Sequence, residues 1–300
     1  MTRRVLLTGG SGFIGRNFIE RCGSRYDILA PRHKELDLVD DLAVRCFFRE
    51  NKIDAVIHSA TKPGHRNALD PTNVGISNLH MFANLFEASR EAGVKRFLFL
   101  GSGSEYDMRS YRPNMREEEL GLFIPADDTG FSKYICSRML EGVPGYVNVR
   151  FFGIFGPHED YAIRFISNAI CKVLFDIPVT LRQDRKFSYT YIDDGIDAIA
   201  RFLDADTADL RYNDYNVTPP EAISLLELAR IVVRVAGKPN HPILVGSPGE
   251  GLTYSGDNTR FTELFPDFAF TPYEDAVIRL YNWYQKIKES IDPALLLQDK

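Results

Sequence analysis

The sequence predicts an α/β fold in which a doubly wound parallel sheet is followed by a smaller C-terminal α/β lobe. Up to about residue 150, short apolar runs typical of strands alternate with stretches of helical periodicity. The run Phe97-Leu98-Phe99-Leu100 is continuously apolar, as expected for a strand buried on both faces of a sheet. Beyond residue 151 the alternation loosens, and loops rich in proline and glycine separate the helical stretches.

The predicted elements divide the chain into two parts. The predicted strands are Val5–Thr8, Asp27–Pro31, Ala55–Ser59, Arg96–Gly101 and Tyr146–Phe151, and the helices between them are Gly12–Cys22, Leu42–Glu50, Asn78–Ala92 and Gly130–Glu141. Helices Tyr161–Leu174, Asp193–Leu203, Ser224–Ala236 and Pro272–Ile287 follow. We therefore assign residues 1–155 to the sheet domain, expect a return to it around 185–205, and assign 156–300 mainly to a substrate-binding lobe.

The composition of the chain argues against several classes of function. The net charge of −5 comes without a basic block, so we expect no nucleic-acid surface. No apolar run has the length of a signal-peptide core or a membrane span, so we expect a cytoplasmic protein without membrane contact. The cysteines lie far apart and form no Cys-x-x-Cys pair, so we expect buried or incidental thiols and no metal: Cys22, Cys46, Cys136 and Cys171.

A glycine-rich turn lies between the first strand and the first helix. After Thr8 the chain reads Gly9-Gly10-Ser11-Gly12-Phe13-Ile14-Gly15. Glycines let the backbone turn sharply and approach a pyrophosphate, which then meets the free N–H groups at the helix N-terminus. This context predicts a dinucleotide site.

The spacing Gly-x-x-Gly-x-x-Gly resembles the opening of the extended short-chain dehydrogenases, a family of nucleotide-sugar epimerases, dehydratases and reductases on a Rossmann fold. Asp37-Leu38, His58-Ser59-Ala60 and Asn78 match further family segments, as do 257–260 and 281–284. The resemblance implies that the cofactor contacts Gly9, Ser11, Gly12, Phe13, Ile14, Gly15, Asp37, Leu38, Ser59 and Ala60.

The end of the second strand bears on the choice of cofactor. An acidic residue there would bind the ribose of NAD, whereas an arginine would accommodate the 2′-phosphate of NADP. The chain reads Ala30-Pro31-Arg32, so Arg32 favours NADP, and NAD remains the alternative. The stretch 35–102 looks similar to GDP-fucose-synthase-like reductases, which implies reduction or epimerisation of a nucleoside-diphosphate 4-keto-6-deoxy sugar.

The family's catalytic residues are only partly present. Members carry Ser or Thr after the fourth strand and Tyr-x-x-x-Lys on the next helix, and here Ser102 and Lys133 match while Thr129 replaces the tyrosine. A phenol has a pKa of about 10 and an alkyl hydroxyl is closer to the value of water, about 15.7, a difference of roughly 8 kcal/mol. Thr129 is therefore not expected to donate the proton itself, although it can orient water or substrate.

Three hypotheses follow for the chemistry. In the first, the protein is a reductase or epimerase in which another acid acts, the candidates by position being Tyr106, Glu105, Tyr134 and Asp128. In the second, a carboxylate works with Lys133 in a dehydratase-like reaction, although Glu105 stands one place later than the family's acidic pair. In the third, the protein binds NAD(P) or a nucleotide sugar without turnover.

Substrate contacts are expected around the turn 150–157 and in the C-terminal lobe. The family's diphosphate-clamping arginine is replaced by Phe187, so Arg182, Arg185 or Lys186 can supply the cation, and Arg260 is a further candidate. Ser104, Glu105 and His158 complete the predicted substrate residues. By resemblance, the helices that follow Asn78 and Thr129 pair across a two-fold axis, which predicts a homodimer.

Overall fold

Strands and helices alternate through the first half of the chain, in a computed structural model that describes residues 2–64 and 68–297. In chain order the elements are β1 (Arg4–Thr8), α1 (Phe13–Cys22), β2 (Asp27–Leu29), α2 (Asp41–Glu50), β3 (Ala55–His58), α3 (Val74–Glu91), β4 (Arg96–Ser102), α4 (Asp128–Met139), β5 (Tyr146–Phe151), β6 (Gly153–Phe155), α5 (Phe165–Leu174), β7 (Val179–Asp184), β8 (Lys186–Phe187), β9 (Tyr189–Tyr191), α6 (Ile192–Asp204), β10 (Asp214–Asn216), β11 (Ile223–Ser224), α7 (Leu225–Val235), β12 (Ile243–Glu250), α8 (Thr259–Leu264) and α9 (Tyr273–Lys286).

Six strands form one parallel sheet in the order β10-β5-β4-β3-β1-β2. The register pairs Thr8 with His58, and His58 with Phe99, so the carboxyl ends of β1 and β3 lie level. Strand β4 continues to Ser102, which pairs with Phe151 at the end of β5. The predicted doubly wound parallel sheet is confirmed, and binding sites in such sheets form at this edge.

Alternating side chains of the strands enter two separate cores. Leu6 of β1 packs with helices α2, α3 and α4 on one face, whereas Val5 and Leu7 pack with α1 and α6 on the other. The aromatic residues Phe82 and Phe97 stand edge to face in the first core, with ring centroids 5.8 Å apart. Because both faces are covered by helices, the strands are apolar throughout, as their sequences indicated.

Strand β10 at the edge of the sheet was not predicted. It has only three residues, two of them polar, and it pairs with Asn148–Arg150 of β5. The buried amide of Asn216 donates to the carbonyls of Met115 and Asp257, which satisfies its polar atoms inside the fold. Tertiary hydrogen bonds rather than an apolar pattern therefore define this strand.

Helices α3 and α4 begin four and two residues earlier than predicted. Helix α3 begins at Val74, and helix α4 begins at Asp128, where the carboxylate of Asp127 accepts a hydrogen bond from the Gly130 N–H at 2.8 Å. Such a side-chain cap satisfies one of the unpaired N–H groups at a helix start. The helix α4 thus carries Thr129 in its first turn.

The later elements form a second layer beside the carboxyl edge of the sheet. Helices α5, α7 and α9 pack together, and short sheets join β7 to β12, β6 to β9 and β8 to β11. Between this layer and the sheet lies an aromatic cluster, Tyr106, Tyr111, Met115, Phe152 and Tyr254. In the described part of the chain, the helices are too short or too polar to cross a membrane.

Candidate active site

In the glycine-rich turn, the backbone packs closely against the backbone of neighbouring segments. Gly9 has φ +72°, and a Cβ on it would lie 2.8 Å from the main-chain nitrogen of Ala60. A Cβ on Gly15 would collide with the carbonyl of Gly9. Side chains are excluded at both positions, so the backbone itself forms the floor of the site.

Helix α1 begins at this turn, and no side chain of its N-cap residue binds the first N–H groups of the helix. Gly12 is the N-cap residue, extended at φ −80° and ψ −178°, and its N–H donates to Gly9 O at 2.9 Å. Ser11 precedes it, and its carbonyl is bound by the Arg16 side chain. A helix N-terminus opened in this way suits a negatively charged group.

Two clefts meet beside the turn at the carboxyl edge of the sheet. The first, here the Arg32 cleft, has a volume of 550 Å³ and runs from Gly9 to Arg32. The second, the Ser102 cleft, has a volume of 400 Å³ and is bordered by Phe13, Ile14, Ser102 and Lys133 among others. Thr61 lines both clefts, so the two clefts adjoin at this residue.

The Arg32 cleft contains the residues predicted for the adenosine side. Arg32 is exposed and lines the cleft, and Asp37 lines it with Leu38. Leu38 is buried in the core, and the Asp37 carboxylate accepts from the N–H of Val39 at 3.0 Å. Within the described residues, the Arg32 guanidinium has no carboxylate partner, which leaves it able to bind an anion.

The strand ends that border the turn are tied together by buried hydrogen bonds. Thr8 Oγ1 lies 2.8 Å from His58 Nδ1 and accepts from the Ala60 N–H at 3.2 Å. Burial lowers the pKa of His58 to about 3, so its imidazole is neutral at ordinary pH. Ala60 lines the Arg32 cleft and Ser59 the Ser102 cleft, as their predicted cofactor role requires.

Ser102 and Lys133 are brought into one cleft from separate elements. Lys133 Nζ donates to Leu100 O at 2.7 Å and lies 4.9 Å from the centre of the Phe99 ring. Burial lowers the pKa of Lys133, and the charge of Glu105 acts in the opposite direction. Ser102 ends β4, so its hydroxyl faces the cleft beside the lysine.

Thr129 and Ser104 lie outside the residues that line the Ser102 cleft. Thr129 Oγ1 is 3.3 Å from the place that a Cβ on Gly64 would take, on the side of the loop after β3. The N–H of Ser104 donates to Ser102 Oγ at 3.2 Å, while its own hydroxyl is buried without a hydrogen-bond partner among the described residues. Ser104 thus contacts Ser102 rather than the cleft.

Glu105 is held in a buried ion pair instead of facing the cleft. Its carboxylate lies 2.8 Å from Arg150 Nε, both side chains are fully buried, and it accepts from the Ser102 N–H at 2.7 Å. Burial alone lowers the pKa of Arg150, but the neighbouring Glu105 charge and other groups raise it well above its ordinary value. Glu105 therefore holds the backbone at Ser102. Its carboxylate does not line the cleft, where the dehydratase-like hypothesis requires it.

The other candidate acids from the sequence also lie away from the cleft. The Tyr106 hydroxyl is buried and donates to Arg116 O at 3.0 Å. Tyr134 has its hydroxyl beside Gly121, and Asp128 is exposed at the start of α4. None of these three lines the Ser102 cleft.

The predicted substrate cations are spread over the C-terminal layer. Arg185 lies 4.6 Å from the ring centre of Phe187, a residue of the Ser102 cleft, and its Nε is buried without a hydrogen-bond partner among the described residues. Arg182 is exposed on β7 and does not line this cleft. Arg260 is engaged by Asp214 at 2.6 Å, so its charge is already compensated.

His158 takes a structural position. Its Nε2 lies 2.8 Å from Glu20 Oε1 on α1, and its ring stands against Trp283 at 5.2 Å. His158 also has φ +69°. It joins α1 to the C-terminal layer and does not border the Ser102 cleft.

Two cleft residues were missed by the sequence reasoning. Arg164, exposed at the start of α5, lines the Ser102 cleft, and so does Tyr254, whose hydroxyl is 3.4 Å from Ser102 Oγ. Neither follows a strand end or matches a motif quoted above. Only the approach of the C-terminal segment to β4 brings Tyr254 to the serine.

A larger hollow of 730 Å³ lies at the opposite, amino edge of the sheet. Two of its charged side chains, Arg4 and Asp27, pair with each other at 2.6 Å. Its lining does not include the start of a helix, and ligands of open parallel sheets bind at the carboxyl edge. The two smaller clefts are therefore the candidate active site. Among the described residues, no group of His, Cys, Asp or Glu is arranged to hold a metal ion.

Comparison with known proteins identifies the class of protein that this fold and site define. The profile of the NAD dependent epimerase/dehydratase family matches residues 5–218, and the chain belongs to this family. The resemblance to the extended short-chain dehydrogenases is thereby confirmed.

Relatives of the chain include nucleotide-sugar enzymes. It is 24% identical to a dTDP-4-dehydro-6-deoxy-D-allose reductase from Streptomyces sp, over 94% of this chain and 96% of the relative. It is 27% identical to a GDP-L-fucose synthase from Sinorhizobium fredii, over 78% of this chain and 80% of the relative. A solved GDP-mannoheptose C4 reductase from Campylobacter jejuni with NADP bound is 21% identical and has a TM-score of 0.79, over 95% of this chain and 98% of that one. This likeness supports the fold.

Proposed function

We propose that the protein is an NADP-dependent enzyme that catalyses the reduction and/or epimerisation of a nucleoside-diphosphate 4-keto-6-deoxy sugar. The observation that carries this proposal is the meeting of the two clefts at Thr61, with Ser102 and Lys133 in the second. A dinucleotide laid across the glycine turn would extend its nicotinamide toward this pair. The names of the relatives, a reductase and a synthase of such sugars, agree with this chemistry.

The residues present fit the cofactor. Gly9, Gly12 and Gly15 would hold the pyrophosphate against the start of α1, and Arg32 would bind the 2′-phosphate of NADP. Lys133 would bind the nicotinamide ribose. When bound, the reduced nicotinamide supplies the hydride for the reduction.

The sugar nucleotide would lie in the Ser102 cleft. Arg164 lines this cleft and Arg185 contacts Phe187, which lines it, so both are candidates to bind a diphosphate. Ser102 would donate a hydrogen bond to the reacting oxygen of the sugar. This assignment adds Arg164 to the cations expected from the sequence.

Two measurements test the proposal. Fluorescence titration should give tighter binding for NADPH than for NADH, and equal or absent binding would contradict the role of Arg32. Incubation with NADPH and a panel of nucleoside-diphosphate 4-keto-6-deoxy sugars should lower the absorbance of NADPH. Tight sugar-nucleotide binding without that loss would contradict turnover and favour a binding protein.

We also propose a homodimer formed through α3 and α4. Ile76 on α3 is 59% exposed and Phe131 on α4 is 41% exposed, an unusual position for large apolar side chains on adjacent helices. Light scattering coupled to gel filtration should give a mass near twice 34.1 kDa, and Ile76→Glu should lower it. A monomeric mass at micromolar concentration would contradict this proposal.

A further inference from the structure

Tyr254 is anchored beside the active site by its main chain. It lies between β12 and α8, where its N–H donates to Lys186 O at 2.8 Å and its carbonyl accepts from the N–H of Ser188 at 3.0 Å. These two bonds attach the segment to both sides of Phe187. The position of the tyrosine is thus set by the sheet of the C-terminal layer.

The ring of Tyr254 is oriented by aromatic neighbours. Its centre lies 4.8 Å from that of Tyr111, 5.1 Å from that of Phe152 and 5.7 Å from that of Phe187. Only 9% of the residue is exposed, and it lines the Ser102 cleft. The packing leaves the hydroxyl 3.4 Å from Ser102 Oγ.

We propose that Tyr254 is the proton donor of the reduction, in place of the tyrosine that the family carries where this chain has Thr129. This inference rests on the proposed reductase function. It is carried by the distance from the phenol to Ser102 and by the cleft that both share with Lys133.

The proposed reduction adds a hydride and a proton to the sugar. A bound reduced nicotinamide would supply the hydride to the carbonyl carbon, and the electron pair of the C=O π bond would move to oxygen. The O–H bond of Tyr254 breaks, and its proton forms the new hydroxyl of the sugar. The ketone is reduced, the nicotinamide is oxidised, and water from the solvent returns a proton to the tyrosinate.

The surroundings of the phenol suit this role. Burial raises the pKa of Tyr254 to about 12, while hydrogen bonds with Ser102 and Tyr111 act in the opposite direction. The phenol therefore holds its proton at neutral pH, yet it remains a stronger acid than an alkyl hydroxyl, whose pKa is near the value of about 15.7 for water. Tyr111 and Ser102 are placed to stabilise the tyrosinate after transfer.

The test replaces one hydroxyl and retains the ring. Tyr254→Phe should lower kcat for a 4-keto sugar by about 10²- to 10⁴-fold, the usual contribution of a general acid, while KM changes little. NADPH affinity, measured by fluorescence titration, should equal that of the wild type and shows that the variant is folded. Tyr134→Phe is the matched control, because Tyr134 adjoins Lys133 in sequence but lies outside the cleft, and it should retain the wild-type kcat.

A second measurement keeps the hydroxyl. Incorporation of 2,3-difluorotyrosine at position 254 lowers the phenol pKa and should change kcat and its solvent isotope effect, whereas the same replacement at position 134 should change neither.

The outcomes separate the two proposals. Wild-type turnover that is retained in Tyr254→Phe, or lost in Tyr134→Phe, overturns the role of Tyr254 and leaves the reductase function intact. A wild-type protein that binds NADPH and the sugar nucleotide but reduces no member of the panel overturns both.

Discussion

At the residue scale, the glycine turn requires a residue without a Cβ at position 9, and a glycine-to-alanine substitution tests this requirement. Gly9 and Gly237 have similar backbone angles, φ +72° and +67°, but the space beside Gly9 is filled by Ala60 whereas that beside Gly237 is open. A left-handed backbone costs an alanine about 1–2 kcal/mol at either position. Only at Gly9 is a steric collision added.

We expect Gly9→Ala to lower the free energy of unfolding by about 1–3 kcal/mol more than Gly237→Ala does, because overpacking adds to the backbone strain. NADPH affinity should fall at least about tenfold in Gly9→Ala, since the floor of the site must shift, and stay unchanged in the control. Urea denaturation and fluorescence titration measure the two effects. Equal losses of stability and of NADPH affinity in both variants would contradict a role for the close packing around Gly9.

Glu117 provides a prediction on pH. Burial raises the pKa of its carboxyl from 4.5 to about 7, although the carboxylate accepts a hydrogen bond from the Asn216 N–H at 2.7 Å. Between pH 4.5 and 7 the folded protein holds a proton at this site that the unfolded chain has lost. Stability from this group is therefore greatest below pH 4.5 and falls as the pH rises toward 7.

The size of this effect is about 3 kcal/mol at 1.36 kcal/mol per pKa unit. Glu117→Gln should remove it, so the stability difference between variant and wild type should move in favour of the variant by about that amount from pH 4.5 to pH 7. Urea denaturation of both proteins at several pH values gives this difference in the free energy of unfolding. Other titrating groups such as His58 are present in both proteins, so their contributions cancel in the difference. A difference that is constant with pH would contradict the raised pKa.

At the element scale, the packing of the C-terminal layer determines which arginines line the Ser102 cleft. Arg164 stands at the start of α5 on the Ser102 cleft, while Arg182 lies on β7 outside it. Both are exposed, so neither is needed for folding. The two residues thus form a matched pair.

Arg164→Ala should weaken the binding of a nucleoside-diphosphate sugar by about 10- to 100-fold, because a hydrogen bond to a charged group contributes about 1.5–3 kcal/mol. Arg182→Ala should change the affinity by less than about threefold, a difference of well under 1 kcal/mol. Isothermal titration calorimetry provides both values. A larger loss in Arg182→Ala would place the diphosphate beyond the Ser102 cleft and restore the prediction from the sequence.

At the scale of the whole molecule, cofactor binding should appear as thermal stability. A ligand at 100 times its Kd stabilises the folded state by about 2.7 kcal/mol, which corresponds to a rise in Tm of roughly 5 °C or more for a chain of this size. NADPH should raise Tm more than NADH at equal concentration. Arg32→Ala should remove that difference, whereas Lys34→Ala, an exposed neighbour that does not line the Arg32 cleft, should preserve it.

The sequence by itself determined the sheet, the glycine turn and the family. These features depend on local patterns: apolar runs for β1, β3, β4 and β5, and glycines where no Cβ can be placed. Ser102 and Lys133 could be predicted because they match the positions at which the family that the sequence resembles carries its serine and lysine. The missing tyrosine at Thr129 was equally visible.

Only the tertiary structure decided what surrounds these residues. Glu105 is polar and follows Ser102, yet its burial against Arg150 takes it out of the cleft. Tyr254 is 152 residues from Ser102 in the chain, and its hydroxyl reaches the serine because the segment between β12 and α8 is hydrogen-bonded to Lys186 and Ser188, on either side of Phe187. Spacing along the chain reports neighbours on one strand or helix, whereas contact between distant segments depends on how whole layers pack.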